Sequence, residues 1–111
     1  MKLSEEAKKI IQESRYKVTL MALIEYTEKA LEKAGVQPVE LQWTILINHL
    51  NEMIGREKEK RFIGKVDPEM FSEVSKESLD IADRITKKIG QLPKDEMYVL
   101  SIHFESAKQN Q

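Results

Sequence analysis

Residues 38–60 read PVELQWTILINHLNEMIGREKEK, and their apolar pattern indicates the fold class. The apolar side chains of this stretch recur every three or four residues, which places them on one face of an α-helix. The run 44–47 is the one place where β-branched residues favour a strand, but the helical spacing on both sides outweighs it. The stretch therefore predicts a long helix that begins near Pro38, because the first helical turn tolerates a proline. The apolar face consists of Trp43, Leu46, Ile47, Leu50, Met53 and Ile54.

Two helical patterns precede this stretch. A weak apolar stripe covers residues 3–13, and a stronger one covers residues 18–34 and stops at Gly35, a residue typical of a helix end. Residues 14–17 either interrupt the pattern or form the polar part of one longer helix. We expect residues 1–17 to be an N-terminal helical extension and residues 18–111 to form one domain.

Three further helix starts follow the long stretch. Asp67 and Pro68 form an N-cap and first-turn pair that predicts a short helix through residue 74. Ser75 can cap the next helix, which Gly90 ends, and Pro93 begins the last one. No alternating strand pattern bounded by turns occurs. The sequence thus predicts an all-α fold, a five-helix bundle.

The composition limits the classes of function. The chain of 111 residues carries a net charge of −1, so it offers no basic surface for direct contact with nucleic acid or for a membrane surface. It has no cysteine, which excludes disulfides and thiol nucleophiles. No stretch approaches the roughly 20 apolar residues of a membrane-spanning helix. We therefore expect a cytoplasmic protein, and we expect no enzyme because no catalytic constellation is visible.

The two histidines are the candidate groups for chemistry. His49 lies at the edge of the apolar face of the long helix, and His103 lies at the corresponding edge of the last helix. Each has a charged residue seven positions away on its own side, since seven residues make two helical turns. These residues are Arg56, which follows His49, and Glu96, which precedes His103.

Three interpretations compete for these histidines. They are boundary residues satisfied by hydrogen bonds, metal ligands, or acceptors of a phosphoryl group. A metal site needs three or four converging ligands, and no His-x-x-x-His motif is present, so we expect no metal and no cofactor. A phosphoryl acceptor needs a neutral imidazole with access for a donor. Spacing alone leaves the first and third interpretations open.

Two segments resemble the histidine motifs of the PTS regulation domain (PRD) family. Leu46-Ile47-Asn48-His49-Leu50, followed by Arg56, resembles the first motif, in which an arginine stands seven residues after the histidine. Leu92-Pro93 and Asp95-Glu96, followed by His103-Phe104, resemble the second, in which the glutamate stands seven residues before the histidine. The motifs occur in the family's order and spacing, and the resemblance covers residues 20–108.

The resemblance implies a five-helix, largely dimeric domain that is phosphorylated on histidine. The donor would be the phosphocarrier HPr or an enzyme II component of the sugar phosphotransferase system. The phosphorylation candidates are His49 and His103, and the supporting residues are Asn48, Glu52, Arg56 and Glu96.

The number of copies departs from the family pattern. Such domains usually occur in tandem behind a nucleic-acid-binding module, whereas this chain holds one copy. We therefore expect a homodimeric, phosphorylation-responsive domain that modulates transcription through a larger regulator. The alternative is a non-phosphorylated adaptor domain that binds such a regulator.

Further expectations concern the positions and roles of single residues. We expect the two histidines to lie near each other, Arg56 to favour a phosphoryl group on His49, and Glu96 to orient the His103 ring. Trp43 should lie in the core or anchor a dimer interface. Gly55, inside the long helix, indicates a close approach or local flexibility. Met21, Met53, Met70 and Met97 are expected to fill gaps in the core.

Overall fold

A computed structural model describes residues 1–110, and Gln111, the last residue of the expected domain, lies outside them. These residues contain no strand, which confirms the predicted all-α fold. A 3-10 turn, Pro68–Phe71, lies between the third and fourth helices. The five α-helices within residues 1–110 are α1 (Glu5–Glu13), α2 (Lys17–Ala34), α3 (Glu40–Glu59), α4 (Lys76–Ile89) and α5 (Lys94–Lys108).

The helix ends follow the predicted glycines and caps. Gly35 ends α2 in the left-handed conformation, with φ of 71°, and its N–H donates to carbonyls of the last turn. Gly90 follows α4 directly with φ of 151°. The Ser75 hydroxyl accepts from the backbone N–H of Ser78 and caps α4. Pro38 lies outside the first turn of α3, contrary to prediction, because α3 begins only at Glu40.

Polar side chains separate α1 from α2. The Ser14 hydroxyl donates to Oδ1 of Asn51 at 2.6 Å and accepts from the backbone N–H of Tyr16 at 3.0 Å. The local bond with Tyr16 competes with continuation of a helix, so residues 14–16 form a break. The short helix expected from Pro68 to residue 74 is only the 3-10 turn, none of whose side chains is buried.

The five helices enclose one core. The most extensive contact joins α4 and α5, while α2 packs on α4 and α1 packs on α3. Ala7 and Ile11 of α1 are buried with the other core side chains, so the N-terminal helix shares this core. Leu50 of α3 and Phe104 of α5 are fully buried at the contact that positions the histidines.

Trp43 is a core residue. Its side chain is 5% exposed, so the core alternative is confirmed and the interface-anchor alternative is wrong. Met21 and Met70 are exposed, contrary to expectation, whereas Met53 and Met97 are buried. Helical spacing identifies the face that each residue occupies, but it does not show where the packed face ends. Within residues 1–110, no helix is both long and apolar enough to cross a membrane.

Candidate functional site

The two predicted histidines are in direct contact where α3 meets α5. Nδ1 of His49 lies 2.7 Å from Nε2 of His103, which is hydrogen-bond distance. The ring centroids are 4.8 Å apart and the ring planes are tilted by 59°. Residues 54 positions apart in the chain therefore form one pair.

Neighbouring residues hold both histidines at the boundary of the core. Leu50 and Phe104, which follow the histidines directly, are fully buried. Asn48 and Ile102, which precede them, are exposed. Each imidazole is thus half-buried, since it lies between an inward and an outward position of its helix.

The surroundings keep both rings neutral. Burial is the largest cause that lowers the pKa of His49, and together with the neighbouring His103 and the charge of Arg56 it brings that pKa to about 4. Burial also lowers the pKa of His103. A neutral imidazole keeps one unprotonated nitrogen, and that lone pair is a nucleophile near pH 7.

A buried ion pair lies beside the histidines. Nε of Arg56 donates to Oε2 of Glu96 at 2.7 Å, and Nη2 donates to Oε1 at 2.8 Å. The Glu96 side chain is fully buried and that of Arg56 is 15% exposed. The hydrogen bonds to Glu96 raise the pKa of Arg56. This two-pronged arrangement is the strong geometry of an arginine–carboxylate pair, and it joins α3 to α5.

The expected roles of Arg56 and Glu96 rest on contacts along one helix, whereas the structure joins the two residues across α3 and α5. Each was assigned to the histidine on its own helix, but in the structure they bind each other, and Glu96 makes no hydrogen bond to His103 within residues 1–110. A buried carboxylate needs a compensating charge, and the facing helix supplies it. Arg56 still acts on His49, because its charge lowers the pKa of His49.

Arg56 also keeps donors for a further anion. A guanidinium has five N–H groups, and Glu96 takes two of them. The other three have no hydrogen-bond acceptor in the described part of the chain. The site can therefore stabilise added negative charge close to His49.

The remaining supporting residues line the exposed side of α3. Glu52 is exposed, and its charge contributes to the raised pKa of Arg56. Asn48 is exposed beside His49. A Cβ added to Gly55 would lie 3.7 Å from Cε2 of Tyr16, which is ordinary van der Waals contact, so the expected close approach does not require a glycine here. No cluster of three or more histidine, cysteine or acidic residues within 1–110 is arranged to hold a metal ion.

Comparison with known proteins identifies the family. The model of the PRD domain matches residues 21–107, which include both histidines and the ion pair. A PRD-containing transcription regulator from Lactobacillus casei ATCC 334, whose crystal structure has been solved, is 44% identical in sequence to this chain, and the two structures match with a TM-score of 0.92. That similarity covers 97% of this chain and 96% of the other. No curated protein matches the sequence. The chain therefore belongs to the PRD domain family.

Proposed function

We propose that this chain is a phosphorylation-responsive regulatory domain of the sugar phosphotransferase system, which accepts a phosphoryl group at His49, His103 or both. The observation that carries the proposal is the pair of neutral imidazoles in contact at 2.7 Å. Each is half-buried, and one lies within the field of an arginine. These are the properties of an accessible nitrogen nucleophile beside a cation.

The proposed response is electrostatic. A phosphoryl group adds nearly two negative charges and several acceptor oxygens to a ring that was neutral. The unbonded N–H groups of Arg56 would attract it, and the exposed carboxylate of Glu52 would repel it. Because Arg56 also holds Glu96 of α5, this competition changes the bonding between α3 and α5. Phosphorylation would thus bias the packing of two helices.

The proposed partners follow from the family. The donor is the phosphocarrier HPr or an enzyme II component, and the protein acts in the cytoplasm, where these donors are found. The similar Lactobacillus protein is described as a transcription regulator, which supports a role in controlling transcription. With a net charge of −1, this chain would act through a larger regulator and not by binding nucleic acid.

We further propose that the protein is a homodimer. Leu41 and Ile45 lie one turn apart on α3, and both are exposed, as expected of a face covered by a second copy. Light scattering at tens of micromolar should give about twice the chain mass of 12.9 kDa. Ile45→Glu should shift the protein towards the monomer, whereas Val18→Glu, at an exposed position of α2, should not. A wild-type mass of 12.9 kDa would contradict the dimer.

One observation favours the adaptor alternative. Each histidine already has a hydrogen-bond partner in the other, as expected of boundary residues that serve only the fold. The two functions separate in a reconstituted cascade of phosphoenolpyruvate, enzyme I and HPr, with and without an enzyme II component. We expect phosphate on the chain in at least one mixture, and the mixture that suffices identifies the donor. If the chain takes up no phosphate in either mixture, the adaptor function is the one supported.

A further inference from the structure

The contact between the two imidazoles restricts their protons. A neutral imidazole carries one N–H and one lone pair. If both facing nitrogens, Nδ1 of His49 and Nε2 of His103, carried hydrogens, the hydrogens would collide at 2.7 Å. If neither did, two lone pairs would face each other. One proton therefore lies between the rings.

The shared proton determines both tautomers at once. When His49 donates, it is protonated at Nδ1, and His103, which accepts at Nε2, must carry its own proton at Nδ1. When His103 donates, both rings are protonated at Nε2. The two rings therefore always have the same tautomer, because the hydrogen bond joins unlike nitrogens.

The same constraint governs the outer nitrogens, Nε2 of His49 and Nδ1 of His103. Neither has a hydrogen-bond partner within residues 1–110. In the first arrangement only Nε2 of His49 has a free lone pair, and in the second only Nδ1 of His103 has one. The unmodified pair thus presents a single nucleophilic nitrogen at a time.

From this geometry we infer that His49 and His103 form one phosphoryl acceptor, which takes a single phosphoryl group on either outer nitrogen. This inference deepens the proposed function and shares its site. The lowered pKa values of both rings support it, since only two neutral imidazoles share a single proton in this way.

The transfer step balances without a further reactant. The outer lone pair of one ring forms the N–P bond, and the bond from phosphorus to the donor breaks, with its electron pair leaving on the donor atom. The modified ring keeps its inner N–H and therefore carries one positive charge beside its dianionic phosphoryl group, and this N–H continues to donate to the second ring. The second ring is thereby a positioning residue, because it accepts the hydrogen bond that keeps the proton on the inner nitrogen of the reactive ring and leaves the outer nitrogen free.

Charge opposes a second transfer. The ring centroids are 4.8 Å apart, so a second phosphoryl group would add a second dianion to the same site. The nearby cation, Arg56, already shares its charge with the buried Glu96. One phosphoryl group therefore fills the site.

Phosphoramidate tests this inference without any partner protein. It transfers its phosphoryl group to histidine with loss of ammonia, and the chain has only two histidines. With excess reagent, mass spectrometry should show one phosphoryl group on the wild type, one on His49→Gln, one on His103→Gln and none on the double variant. Glutamine is chosen because its amide can donate to or accept from the remaining ring.

Denaturation tests whether the contact between the two rings is what limits the wild type to one phosphoryl group. In urea the two rings are separate, so the wild type should then take two phosphoryl groups. Two groups on the folded wild type, or none, would overturn the inference, and a single variant that takes none would overturn the equivalence of the rings. Success with phosphoramidate together with failure in the enzyme cascade would reject only the proposed function.

The tautomers give an independent test. Ring nitrogen shifts of the ¹⁵N-labelled, unmodified protein distinguish protonation at Nδ1 from protonation at Nε2. We expect the same tautomer, or the same average of the two, for both histidines. One ring protonated at Nδ1 with the other protonated at Nε2 would contradict the shared proton.

Discussion

Arg56 and Glu96 connect α3 to α5 through two charge-assisted hydrogen bonds of 2.7 and 2.8 Å, next to the histidine pair. The Glu96 carboxylate has no exposure to solvent, so its charge depends on the guanidinium for compensation. The first prediction follows from this dependence.

Arg56→Met should strongly destabilise the fold. It leaves a buried carboxylate without its partner, and loss of one member of such a pair costs about 3–5 kcal/mol in the free energy of unfolding. Arg61→Met is the matched control, because Arg61 pairs with Glu59 at the surface, where loss of an ion pair changes the stability little. Urea denaturation measures both.

The double variant Arg56→Met/Glu96→Leu should recover much of the loss, since no unpaired charge stays buried. Equal losses for Arg56→Met and Arg61→Met would show that the ion pair is not the connection between α3 and α5 that its geometry indicates.

Stability should fall as the pH drops through the range in which His49 titrates. The pKa of His49 is about 4 in the folded protein, against 6.5 for the free side chain. The unfolded chain therefore binds the proton first, and the stabilisation is full above about pH 6.5 and is lost between about pH 6.5 and 4. We expect the wild type to lose roughly 1–3 kcal/mol relative to His49→Gln between pH 7 and 4.

Urea denaturation of both proteins across this range measures the difference, in which the contributions of the carboxylates largely cancel. A difference that is independent of pH would mean that His49 titrates normally in the folded protein.

Gly90→Ala should destabilise the end of α4. Gly90 has φ of 151°, which L side chains rarely adopt, and a Cβ there would lie 2.7 Å from the Glu57 side chain. The side chain can move, but the backbone strain stays, so we expect a loss of about 1–3 kcal/mol. Gly55→Ala is the control inside α3, where the nearest contact is 3.7 Å and alanine favours the helix by up to about 1 kcal/mol. Thermal unfolding should rank Gly90→Ala below the wild type and Gly55→Ala at or above it.

Much of the fold could be predicted because its signals are local. Gly35 supplies a left-handed residue and Ser75 supplies a capping hydroxyl, and both act on the backbone within one turn. The break near Ser14 could not be decided, because one of its hydrogen bonds goes to Asn51 on another helix. The exposure of Met70 likewise depends on where a loop packs.

The candidate site could be predicted only in part. Helical spacing placed both histidines at a core boundary, and the packing of both helices on one core predicted that the two lie close together. The pairing of Arg56 with Glu96 was missed, because a seven-residue spacing describes one helix and gives no information on the facing one. The available signal was a pair of opposite charges on two helices that share a core.

We expect the histidine pair to accept a phosphoryl group from the phosphotransferase cascade. The most direct test of this transfer is intact mass measurement after incubation with phosphoenolpyruvate, enzyme I and HPr, plus an enzyme II component. The proteins compared are the wild type, His49→Ala, His103→Ala and the double variant, each with its helical content confirmed by circular dichroism. We expect phosphate on the wild type, slower incorporation in each single variant, and none in the double variant. Phosphate on the double variant, or its absence from the wild type, would contradict phosphorylation of the histidine pair by the cascade.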